Sequence, residues 1–344
     1  MNSHIMKSAG MIAQTSPLIQ PEAWQRDLRE AYRRPADLLT ALGLPADLHA
    51  ADRHAEARFP FRVPRPFAAR MRHGDPADPL LLQVLPQHAE GLASPLFVAD
   101  PVGDLAAERA PALLQKYEGR ALLLITGACA VNCRYCFRQH FPYAGKLGED
   151  ELEQALAALA ADPSVHEIIL SGGDPLTLRD DALAGLVTRL ARIPHLRRLR
   201  VHTRLPVVIP NRVTDGLLAL ITHTRLKPVV VLHVNHAREI DASLAAAARR
   251  FVEARVPLLN QSVLLAGIND DLTALAELSE ALFDASILPY YLHRLDRVAG
   301  AAHFEVPARR ARALAAALRA HLPGFLVPRF VQEVPGAPAK LPLA

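Results

Sequence analysis

From Ala121 onward, apolar runs of strand length alternate with stretches of helical periodicity. The runs are 121–126 (ALLLIT), 167–172 (EIILSG), 198–203 (RLRVHT), 228–234 (PVVVLHV), 256–263 (VPLLNQSV) and 288–295 (LPYYLHRL). Between them the apolar spacing predicts helices over 149–161, 179–192, 213–222, 240–254 and 272–283, with a sixth over 307–321. Near-continuous apolar strands separated by helices suit a parallel sheet with helices packed on it. The expected fold class is therefore α/β, a partial (β/α)6 barrel of the TIM type. The polar residues fix its polarity, because each run feeds directly into a polar cluster. Ser171-Gly172-Gly173-Asp174, His202-Thr203-Arg204, His233-Val234-Asn235-His236, Asn260-Gln261-Ser262 and the stretch from His293 to Asp296 follow five of the runs, and a cysteine-bearing loop follows the first. In a β/α barrel the C-terminal strand ends form the catalytic face, so six such clusters at one mouth mark the site.

The chain before this region reads differently. Between about Pro21 and Tyr117 it is rich in proline and arginine. Short helical patterns start with proline at the first helical position, at Pro21 and at Pro35. Prolines 60, 64, 66, 76, 79 and 86 then break it into pieces. The division expected is a helical, proline-rich N-terminal cap over 1–117, the barrel over 118–322 and a separate C-terminal segment over 323–344.

Composition narrows the function by exclusion. The chain has 344 residues, 51% of them hydrophobic, which suffices for a large core. A net charge of +4 and a pI near 9.1 come from scattered arginines without a basic stripe, and aromatic content is 5%. Neither a duplex-binding surface nor a stacking platform for single strands is indicated, so no nucleic-acid partner is expected. No apolar run reaches the ~18 residues of a membrane span, and the start lacks the apolar core of a signal peptide. A cytoplasmic protein without membrane contact is expected.

The three cysteines change the picture. Cys129, Cys133 and Cys136 form a C-x3-C-x2-C run, and there is no fourth cysteine. An odd, clustered set argues against a disulfide framework. A cubane iron–sulfur cluster ordinarily takes four thiolates, so three would leave one iron open to a second molecule. The alternative is a Cys3His zinc site completed by His140, in a binding protein without redox chemistry. Zinc ligands usually come from two separate knuckles, whereas these all sit on one loop, and this favours iron and sulfide. Gly172-Gly173-Asp174 would on its own be an ordinary turn.

CAVNCRYCFRQHFPY resembles the cluster motif of radical S-adenosylmethionine (SAM) enzymes, and SGGDPL resembles their glycine-glycine-acid motif. HTRLPVVIP, NQSVLLAGIND and PYYLHRLD resemble the lysine 2,3-aminomutase family in particular, over a match running from about Arg62 to the C-terminus. The shorter length, RVPRPF and the ending KLPLA point to the branch of that family that supplies (R)-β-lysine for elongation factor P. The resemblance implies an isomerase that moves an amino group between C2 and C3 of L-lysine. It implies a [4Fe–4S] cluster on Cys129, Cys133 and Cys136, and SAM bound near Gly172, Gly173, Asp174 and Gln261. It also implies pyridoxal 5′-phosphate carried by Lys340 in PGAPAK, with Tyr117 and Arg120 at its phosphate. Arg138 would take the substrate carboxylate, and Asp296 and Glu333 the ε-ammonium; the free-lysine enzymes have aspartate at the second position. Partners implied are a flavodoxin- or ferredoxin-type electron donor and, functionally, elongation factor P with its ligase. His233, His236, Asn260 and Ser262 are further candidates for the adenosyl side. The residues themselves leave alternatives open. Asp296 can pair with Arg294 or Arg297, Glu333 can pair with Arg329, and the substrate can be another amino acid.

Overall fold

The computed structural model describes residues 22–46, 48, 59–144 and 148–343. Ten strands form one sheet in chain order: β1 (Glu108–Ala110), β2 (Leu113–Tyr117), β3 (Arg120–Leu124), β4 (Glu167–Ser171), β5 (Arg198–Thr203), β6 (Lys227–Leu232), β7 (Leu258–Leu264), β8 (Leu288–Arg294), β9 (Arg329–Gln332) and β10 (Leu341–Pro342). Pairing is parallel from β3 through β9, while β1, β2 and β10 pair antiparallel at the two ends. The six expected strands are β3 to β8, in the expected order. The parallel sheet goes one strand further, because β9 adds to β8 with Tyr291 opposite Arg329 and His293 opposite Val331.

Helices Glu149–Ala161, Asp180–Ala191, Asp215–Thr222, Ala242–Glu253, Leu272–Asp284 and Ala308–His321 lie where the periodicity put them, within two residues at each end. Side chains of Thr214, Asp241 and Asp271 cap three of them by accepting from backbone N–H groups in the first turn. No helix among the described residues is long and apolar enough to cross a membrane.

Pro35 stands at the first turn of helix Pro35–Ala41, as its fixed φ favours. Pro21 lies outside the described residues, and helix Ala23–Arg29 follows it. The N-terminal pieces share one apolar core with the barrel, in which Trp24, Leu38 and Phe67 join Leu199, Val230 and Phe251. Burying a side chain the size of Trp24 contributes about 2–3 kcal/mol. Arg212, fully buried, lies 4.5 Å from the centre of the Trp24 ring and donates to the carbonyl of Leu176 at 2.7 Å.

Candidate functional site

The loop between β3 and helix Glu149–Ala161 carries the cysteines, and backbone contacts hold it. Gly173 N donates to Thr126 O at 2.6 Å and Asp174 N to Ala128 O at 2.7 Å. A Cβ on Gly172 would stand 2.3 Å from Thr126 O, and one on Gly173 would stand 2.3 Å from Ala128 O. Gly172 also has φ +126°, a conformation that side-chain-bearing residues rarely adopt. The glycine pair thus lets the loop after β4 lie directly on the cysteine loop. The partner in this close approach is the chain's own backbone.

Asp174 is likewise engaged by the chain itself. Its carboxylate is buried and accepts from Thr203 Oγ1 at 2.7 Å, Arg204 N at 2.7 Å, Leu205 N at 2.8 Å and Leu176 N at 3.0 Å. Each oxygen takes two donors, so the group ties the loop after β4 to the loop after β5 and has no acceptor capacity left for a ligand ammonium.

The N-terminal region grips the other side of the loop. Arg62 Nη1 donates to Cys129 O at 2.9 Å, and Arg134 N donates to Gln83 O at 2.9 Å. Arg134, 1% exposed, forms an ion pair with buried Glu90. Breaking a buried pair of this kind typically costs about 3–5 kcal/mol. His140, the fourth ligand of the zinc alternative, has Nε2 at 3.0 Å from Ala299 O. Among the described residues no set of three His, Cys, Asp or Glu side chains converges on a single metal ion.

A cavity of about 530 Å³ runs along the strands, within the size range of small-molecule sites. All three cysteines line it, as do Gly172, Gly173, Asp174, Arg138, Gln261, Asp296, Glu333, Lys340, Tyr117 and Arg120. The cluster, cofactor and substrate contacts that the resemblance implies therefore all face one space, whereas His140 of the zinc alternative does not line it. The weaker candidates divide: His233 lines the cavity with Gln261, whose Nε2 is 2.6 Å from His233 Nε2. Asn260 and Ser262 do not. Side chains alternate along β7, and these two turn to the outer layer, where both reach Val234 O. His236 accepts from Arg238 N at 3.1 Å and caps a short turn outside the cavity.

At the cysteine end, burial and the neighbouring sulfurs push the Cys129 thiol well above its ordinary value and the Cys136 thiol up to about 11.

At the opposite end, Arg120 lies 4.6 Å from the centre of the Tyr117 ring. Arg198 and Arg200 share one carboxylate, Glu167, with Arg198 Nε at 3.0 Å from it. Three guanidiniums against one carboxylate leave this end cationic, as a phosphate requires.

Between the ends lies a chain of charges. Lys340 Nζ pairs with Glu333, whose other oxygen is 3.5 Å from Lys116 Nζ. Lys116 is 2.6 Å from Asp104 Oδ1, and Asp104 Oδ2 accepts from Arg138 Nε at 2.7 Å. Arg138 also donates to Ser171 Oγ at 3.0 Å. Arg294 and Arg297 both pair with Glu305, at 3.0 and 2.9 Å, so neither holds Asp296. Burial, partly offset by Lys340, raises the Asp296 carboxyl to about 7. Burial would raise Glu333 too, but the Lys340 and Lys116 ammoniums hold it below its usual range. His293 and His202 are pushed well below theirs, chiefly by burial, and stay neutral.

Asp104, Arg200 and Glu167 were not singled out from sequence. PVGDL reads as a solvated turn, and only the tertiary fold brings Asp104, 2% exposed, against Arg138.

Residues 123–278 match the radical SAM superfamily. L-lysine 2,3-aminomutase of Escherichia coli (strain K12) is 47% identical over 324 residues, covering 94% of either chain. The chain belongs to the radical SAM L-lysine 2,3-aminomutase family. The L-lysine 2,3-aminomutase of Haemophilus influenzae is 46% identical over 94% of this chain and 96% of its own, and that of Bacillus subtilis is 31% identical over 93% and 68%. Streptococcus suis SuiB bound to S-adenosylmethionine matches 64% of this chain and 51% of its own with a TM-score of 0.44 and 14% identity. An aminomutase is an isomerase, and radical SAM membership implies a [4Fe–4S] cluster and SAM. The three cysteines, carried on one loop and lining one cavity, fit that cluster.

Proposed function

We propose that this aminomutase converts L-lysine to (R)-β-lysine, using SAM and pyridoxal 5′-phosphate, and that the product serves β-lysylation of elongation factor P. The observation that carries the reading is the placement of Lys340, Glu333, Asp296 and Arg138 in the same cavity as Cys129, Cys133 and Cys136.

In this reading Cys129, Cys133 and Cys136 hold the cluster, and Lys340 holds pyridoxal 5′-phosphate covalently. Arg120, with Arg198 and Arg200 on the same cavity wall, would face the phosphate. When bound, these groups supply a one-electron route to a carbon-centred radical and a conjugated ring that can delocalise spin on the migrating nitrogen. The chain's own residues bind and orient. Arg138, steadied by Asp104 and Ser171, presents a guanidinium to the α-carboxylate. Lys340 gives up its ion pair with Glu333 once its nitrogen is otherwise bonded. Glu333 is then free, with Asp296, to accept the ε-ammonium of the substrate. The longer side chain of glutamate, relative to aspartate, supports this double use, since it reaches Lys340 within the same cavity. His202, His233 and His293 stay neutral and add no charge to compete with lysine. A flavodoxin- or ferredoxin-type donor would supply the electron.

The test is anaerobic reconstitution with iron, sulfide, SAM, pyridoxal 5′-phosphate and dithionite, followed by chiral chromatography of the products from L-lysine and from norleucine, which lacks the ε-amine. (R)-β-lysine from the first and no product from the second are expected. Equal turnover of norleucine would remove Asp296 and Glu333 from the assigned role.

A further inference from the structure

Arg204, on the loop after β5, takes no part in the reaction above, yet it touches a proposed ligand of the cluster. It is 7% exposed, and its Nη1 lies 2.7 Å from Cys133 Sγ and 2.7 Å from the Tyr135 hydroxyl. Its Nη2 donates to Gln83 Oε1 at 2.7 Å and to Glu239 Oε2 at 2.9 Å. Glu239 is fully buried, and its other oxygen accepts from Asn235 N at 2.9 Å, His236 N at 3.2 Å and Gln83 Nε2 at 3.1 Å. A buried cation therefore stands against one sulfur, with its counter-charge on the side away from it. The Arg204 backbone N–H is held by Asp174, and its guanidinium lies 5.4 Å from the centre of the Phe67 ring.

We propose that the Arg204–Glu239 pair sets the reduction potential of the cluster, Arg204 raising it through the sulfur of Cys133 and Glu239 holding it down. The inference rests on the cluster assignment made above. Reduction adds one electron to the cluster, with no bond broken and no proton taken up, and the added charge spreads onto the ligating sulfurs. Hydrogen bonds to those sulfurs and the local net charge are the protein's means of tuning the potential. A guanidinium in contact with Cys133 stabilises the reduced form, and in a buried site the effect is only weakly screened. The carboxylate of Glu239 is one side chain further away and opposes it. Arg204 acts through Cys133 and is a positioning and tuning residue.

The test uses full-length protein reconstituted anaerobically with iron and sulfide, as wild type, Arg204→Met and Glu239→Gln. Each is titrated with dithionite in the presence of mediators, the reduced cluster is followed by electron paramagnetic resonance, and iron and sulfide are assayed as loading controls. Arg204→Met is expected to make reduction about ten-fold less favourable, a shift of about 59 mV to more negative potential. Glu239→Gln is expected to shift it the opposite way. Unchanged potentials in loaded variants, or shifts of the same sign in both, overturn the proposal, since a purely structural role has no reason to move the two in opposite directions. If Arg204→Met fails to take up a cluster, Arg204→Lys and Glu239→Gln decide. Lysine keeps the charge and should stay near wild type, and a zero or negative shift in Glu239→Gln overturns the proposal. Wild type that takes up no cluster defeats the cluster assignment itself, an outcome distinct from a loaded cluster with an insensitive potential.

Discussion

Two regions of the cavity, the cysteine end and the chain of charges that leads away from it to Lys340 (the lysine end), are built on different principles. The cysteine end comes from one contiguous loop, and main-chain contacts fix it: Thr126 O and Ala128 O receive the N–H groups of Gly173 and Asp174. The lysine end is assembled from residues far apart in the chain. Asp104 and Lys116 precede the barrel, Arg138 follows the cysteines, and Glu333 and Lys340 follow β9, all joined by ion pairs. The first end is held by backbone packed so closely that a side chain at either glycine would collide with it. The second is a balance of charges, in which changing one member moves its neighbours. Ligand loss at the cysteine end should therefore be all-or-none, whereas substitutions at the lysine end should be graded and separable.

The largest expected effect is that of Cys129→Ala, which should abolish both bound iron and turnover. Retained iron with near-normal activity would show that this end is not the metal site. Lys340→Ala should lower activity at least about a thousand-fold while leaving iron content unchanged, in keeping with loss of a covalent anchor. Borohydride treatment followed by peptide mapping should then find no pyridoxyl group on the variant, and a label elsewhere would relocate the cofactor.

Gly173→Ala probes the main-chain contact. The added methyl meets Ala128 O, and overpacking of this kind costs about 1–3 kcal/mol. A lower melting temperature with impaired iron loading is expected, and unchanged loading would make the close approach incidental. Asp104→Asn removes one charge-assisted partner of Arg138 and should raise KM for lysine about ten-fold, with both cofactors still bound. A change in iron content instead would mean that the two ends are not separable.

The smallest effect concerns pH. The Asp296 carboxyl is raised to about 7, so its contribution to stability is present below the ordinary carboxylate range and is lost as pH rises through about 7. The melting temperature of cofactor-free Asp296→Asn should therefore gain on wild type between pH 4 and pH 8. A constant difference would place the titrating group elsewhere.

The same contrast explains what could be read from sequence. The six central strands and their helices were legible because each is a long apolar run flanked by its own turn and cap residues. The hairpin that pairs β2 with β3 was not, although LLQKYEGRALLL, two apolar runs about a Glu-Gly turn with Gly119 at φ +75°, carried its signal. β9 and β10 are short, and their pairing depends on the β8 edge that receives them. The cysteines and Lys340 were legible from motif and resemblance. Asp104, Glu167 and Arg200 were not, because each reads as a solvated charge until the fold supplies its partner. Period-two alternation along β7 would have separated Gln261 from Asn260 and Ser262.

The central claim is that both ends of this one cavity act on one molecule of substrate. Turnover of L-lysine deuterated at C3 in the reconstituted enzyme, with mass spectrometry of 5′-deoxyadenosine and β-lysine, tests it most directly. Deuterium should appear in 5′-deoxyadenosine and in the C2 position of β-lysine, and Lys340→Ala should abolish both. Unlabelled 5′-deoxyadenosine alongside consumption of lysine would contradict it.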